Sequence, residues 1–96
     1  MFDVRAWTRD ATPANVAMAR TIVPLVYAAL KATGWMSLFE LYELMDIDIP
    51  TYQAVSVLVR IGAIEGPDPY SVNAPSSMRD SYYRIAGTPT QGSLSF

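Results

Sequence analysis

Residues 37–65 read SLFELYELMDIDIPTYQAVSVLVRIGAIE, and their punctuation decides the fold. Ser37 followed three residues later by Glu40 is a capping-box pattern, in which hydroxyl and carboxylate each satisfy a free backbone N–H of a new helix. Met36 before the cap and Leu41 after it form a matching hydrophobic staple. A helix over 38–45 buries Leu38, Leu41 and Met45 and leaves Glu40 and Glu43 on its outer edge. Residues 46–50, DIDIP, make a tight connection. Pro50 opens the next helix, capped by Asp48 or Ile49, because its fixed φ and missing N–H suit a first helical turn. That helix runs to Ile61 and stops at Gly62. Its inner face is Val55, Leu58 and Val59. Gln53, Ser56, Val57 and Arg60 recur at i, i+3, i+4 and i+7, so they share the opposite face.

Towards the N-terminus, Thr12-Pro13 reads as a cap and first position, and Gly34 as a C-terminal stop, for a long helix over 13–33. Pro24 removes a backbone donor and predicts a kink. Two apolar stripes follow heptad spacing, one through Val16, Ala19, Val23, Val26 and Leu30, the other through Met18, Ile22, Leu25 and Ala29. A small surface helix needs one apolar face. The second predicts a partner, most simply a second copy, with Met18, Ile22 and Leu25 in the interface. Residues 1–12 read as a short strand or an arm whose Phe2 and Trp7 anchor that partner.

Towards the C-terminus, 63–65 is short and extended, GPDP at 66–69 is a turn cluster, and 70–80 is a polar loop holding Arg79. Residues 81–86, SYYRIA, have strand propensity and pair back on 63–65 as a hairpin, with one of Tyr82 and Tyr83 in the core. Residues 87–96 read as a loose tail. The division is thus an arm at 1–12, one domain at 13–86 and a tail at 87–96, mainly α with a small β-hairpin.

Composition narrows the function. Of 96 residues, 51% are hydrophobic, so a core can form. Only 17% are charged, below the roughly 25% of soluble domains, which leaves apolar surface for a partner. Histidine and cysteine are absent, which removes the commonest general base, thiol chemistry and most zinc sites. No Gly-rich phosphate loop occurs, and no enzyme, cofactor or metal is expected. Seven basic and nine acidic side chains give a net charge of −2, so any nucleic-acid contact must come from a local patch. The charged first residues do not read as a signal peptide. No uninterrupted apolar run reaches the roughly 18 residues of a membrane span. A cytoplasmic protein without membrane contact is expected.

The order helix, short strand, helix, tight turn, helix, two-stranded hairpin resembles the winged helix-turn-helix family of DNA-binding domains. The resemblance covers about residues 13–86. ELYELM at 40–45 resembles the first helix of the turn motif, and 47–52 its turn and recognition-helix start. LVRIGAIE at 58–65 resembles the exit into the wing, and SYYRI at 81–85 a returning wing strand of MarR- or PadR-like regulators.

That resemblance implies a small transcriptional regulator. It would be a repressor, binding double-stranded DNA as a homodimer on a palindromic operator. Gln53 and Ser56 would then read base edges. Thr51 and Tyr52 would meet phosphate at a helix start. Arg60, Arg79 and Arg84 would contact the backbone. The acidic second helix, the single basic residue of the third and the nearly neutral wing depart from the family pattern. They favour an alternative, a winged-helix module that binds protein through its apolar or acidic faces.

Overall fold

The computed structural model describes residues 1–87. From residue 88 on, the expected tail lies outside them. Four helices and three short strands follow in order: α1 Val4–Asp10, α2 Pro13–Thr33, β1 Met36–Ser37, α3 Leu38–Met45, α4 Ile49–Arg60, β2 Ile64–Glu65 and β3 Tyr82–Ile85. A 3-10 turn, Met78–Asp80, precedes β3. The chain is mainly helical with a small antiparallel sheet, as the sequence implies.

Local chemistry sets the boundaries. Thr12 accepts a hydrogen bond from the Asn15 amide and Pro13 opens α2. At α3 the capping box closes both ways: Ser37 Oγ accepts from the Glu40 amide at 3.1 Å, and Glu40 Oε1 accepts from the Ser37 amide at 2.8 Å. Asp48 caps α4. α2 continues as one helix through Pro24. By length and composition α2 is long and apolar enough to cross a membrane, although Arg20 and Lys31 interrupt its apolar run.

The sheet has the order β1-β3-β2. β3 pairs Ile64 with Ile85 and Glu65 with Arg84 on one side, as the hairpin reading implies. On its other side it pairs Met36 with Tyr83 and Ser37 with Tyr82. The predicted hairpin is therefore the larger part of a three-stranded sheet. Tyr83 is the core member of its pair and Tyr82 is exposed. Gly66, at φ +148°, passes so close to Tyr83 that a Cβ there would collide with the ring.

α4 forms the centre of the molecule. Its Ala54, Val55 and Leu58 join Val26 and Leu30 of α2, Leu38 and Leu41 of α3, and Ile64 and Tyr83 of the sheet in one buried cluster. Ile85 packs half-buried against it. α2 turns Ala19, Ile22, Val26 and Leu30 inward. Ile22 thus belongs to the core, which corrects its expected place in a dimer interface. Ile22 stands four residues from both Met18 and Val26, and the docking of α2 on the core buries it with Val26. Met18 and Leu25 remain exposed, at 42% and 52%.

Candidate functional site

The face of α4 expected to enter DNA is covered by the protein's own N-terminal segment. Residues 4–10 form a helix, not a strand or free arm. Asp3 caps it by accepting from the Ala6 amide at 3.1 Å, and this local bond outweighs the alternation at Phe2, Val4 and Ala6. Only Phe2 is strand-like, in an antiparallel bridge to Ser71. The Asp3 amide donates to the Tyr70 carbonyl, and the Val72 amide to the Met1 carbonyl at 2.9 Å. Trp7 meets Phe2 and Tyr70 with ring centroids 5.7 and 5.2 Å away. Phe2 and Trp7 are therefore held within their own chain, which corrects their expected role at a partner.

α1 is joined to α4 by a polar network. The Asp10 carbonyl accepts from Gln53 Nε2 at 3.0 Å and from Asn15 Nδ2 at 2.8 Å. The Asp10 carboxylate accepts the Tyr70 hydroxyl at 2.7 Å and Arg9 Nε at 3.2 Å. Asp68 Oδ1 accepts the Ser56 hydroxyl at 2.6 Å and the Tyr70 amide at 2.8 Å. Burial pushes the Tyr70 phenol well above its ordinary value, and its bond to the Asp10 carboxylate adds to the rise.

The expected DNA-contact residues separate accordingly. Thr51, Gln53 and Ser56 are buried, so none presents its side chain to a groove. Thr51 donates to the Ile47 carbonyl at 2.6 Å instead. Arg60 is exposed, with its guanidinium 4.0 Å from the centroid of Phe2. Arg84 pairs with Glu65 at 2.8 Å and lies over Trp35. Tyr52 and Arg79 do come together, in an open cleft of about 630 Å³ between α3, the start of α4 and residues 76–80. There Arg79 lies over Phe39 at 4.5 Å. Burial, then the charge of Asp48, raises the Tyr52 phenol. The basic side chains thus point to separate places and form no stripe along α4.

Asp10, Asp68 and Tyr70 escaped the sequence reading. The one legible signal was Asp68, which stands two residues before Tyr70 at the spacing of an Asx turn. The other contacts join residues up to 60 apart in the chain.

α2 presents a second candidate surface. Ala14, Ala17, Met18, Thr21, Leu25, Ala28 and Ala32 are exposed along it, with no charge among them. Among the described residues no group of three or more acidic side chains gathers to hold a metal ion. Comparison with family models, curated proteins and solved structures finds no match to this chain.

Proposed function

We propose that this chain is a winged-helix protein-interaction module that self-associates through the exposed face of α2. The winged-helix reading rests on the element order and on the β1-β3-β2 sheet, in which the strand after α2 and the hairpin strands share β3. The observation that carries the function is the cover on α4. Gln53 and Ser56 are fully buried and bonded to Asp10 and Asp68, so a base-reading role would require α1 and the 68–72 loop to detach. The exposed α2 face, uncharged and mostly apolar over about five turns, supplies what a homodimer needs instead.

Two measurements test this together. Sedimentation at micromolar concentration should show a dimer. Titration of mixed-sequence duplex DNA at physiological salt should show no binding tighter than about 10⁻⁴ M, the weak end of non-specific association. Tight, sequence-preferring binding would replace this reading with that of a dimeric repressor on a palindromic operator.

A further inference from the structure

The exposed residues of α2 form a regular series. Ala14, Met18, Thr21, Leu25, Ala28 and Ala32 are all exposed and follow one another at steps of 4, 3, 4, 3 and 4 residues. That is the heptad spacing of a helix that pairs along its length. At 3.6 residues per turn the six lie within about 80° of the helix circumference. The core residues Ile22, Val26 and Leu30 lie to one side of this seam. The only charges of α2, Arg20 and Lys31, lie to the other side, roughly 100–120° round the helix. Thr21 Oγ1 donates to the Ala17 carbonyl of its own helix at 3.1 Å, so it brings no unmet donor to the seam.

We infer that α2 packs against α2 of a second copy in antiparallel orientation, about a two-fold axis at the level of Val23. This rests on the self-association reading above and supplies its geometry. The axis sets Met18 against the partner's Ala28, Leu25 against the partner's Thr21, and Ala14 against the partner's Ala32. Each central layer then holds one larger and one smaller side chain. The two helices keep one separation along their length of about 30 Å. A parallel pair would stack Met18 on Met18, Leu25 on Leu25 and Ala28 on Ala28, alternating crowded layers with empty ones, against the close packing of protein interfaces. Charge points the same way. Parallel pairing sets Lys31 beside Lys31 at one end, whereas antiparallel pairing parts them by about 24 Å along the axis, well beyond the roughly 8 Å screening length. It also brings the negative C-terminal end of each helix beside the positive N-terminal end of the other. The occupant is a second copy because the six positions complement themselves under a single rotation.

The chain has no cysteine, so introduced ones report on their neighbours alone. Ala14→Cys and Ala32→Cys, one of them isotope-labelled, are mixed at micromolar concentration, left to exchange and oxidised. Mass spectrometry then separates the mixed covalent dimer from the two homodimers. A disulfide needs Cβ atoms about 4 Å apart, so the mixed species should exceed either homodimer about 10-fold. Sedimentation of the wild type and of both reduced variants, run alongside, should show dimers. If either variant joins to itself as readily as to the other, the antiparallel orientation is overturned and self-association stands. A wild-type dimer in which no pair of cysteines joins would place the contact away from this seam and overturn the proposal. A monomeric wild type would remove both the orientation and the self-association on which it rests.

Discussion

The side-chain amide of Gln53 donates to the backbone carbonyl of Asp10 at 3.0 Å, tying the middle of α4 to the end of α1 across 43 residues of chain. Asn15 donates to the same carbonyl at 2.8 Å. The carbonyl is therefore satisfied twice, whereas Gln53 Oε1 is not satisfied at all. The contact explains why a residue spaced to face outward on α4 is buried.

Gln53→Leu should cost little stability. It removes an unmet acceptor along with one hydrogen bond, and Asn15 keeps the Asp10 carbonyl paired. Replacing a partly satisfied polar group by an apolar one of similar shape is close to neutral. Urea melts should place the variant within about 1 kcal/mol of wild type. A loss above about 3 kcal/mol would make Gln53 the main anchor of α1.

Stability should fall in strong alkali. Burial, the Asp10 hydrogen bond and the Asp10 charge raise the Tyr70 phenol above its ordinary 10.0, and burial with the charge of Asp68 raises Tyr83. The folded chain holds both protons more tightly than the unfolded chain does. That stabilisation is complete below about pH 10 and is lost as pH rises towards the folded values. Tyr70→Phe should cost about 1–2 kcal/mol at neutral pH and flatten the alkaline decline. An unchanged decline in thermal melts between pH 9 and pH 11 would remove Tyr70 from this role.

Leu58 is 3% exposed at the meeting of α4 with the core. Leu58→Ala should cost roughly 2–5 kcal/mol, approaching the whole stability of so small a domain. A thermal melt matching wild type would mean that the helix rotation placing Leu58 inward is wrong.

Met18→Asp and Leu25→Asp should each convert the proposed dimer to monomer, because a charge on the apolar α2 face loses its water on association. Neither side chain is buried in the protomer, so both variants should melt close to wild type when monomeric. The interface should bury on the order of 1,200 Å². Variants that sediment as wild type would exclude α2 from self-association.

Local chemistry alone determined much of this molecule. The Thr12-Pro13, Ser37–Glu40 and Asp48–Pro50 signals set three helix starts, each through a side chain adjacent to the backbone it serves. The pairing of residues 64–65 with 84–85 followed from strand propensity on either side of a turn cluster. The burial of Leu41, Val55, Leu58 and Ile64 followed from apolar periodicity. Only tertiary structure decided that Ile22 faces the core, that β1 joins the sheet, and that Gln53 and Ser56 lie beneath α1 and the 68–72 loop. Periodicity assigns two faces to a helix but does not say whether the second meets water. On α4 that was decided by Asp10, Asp68 and Tyr70, whose partners stand 12 to 60 residues away, beyond the reach of any local pattern.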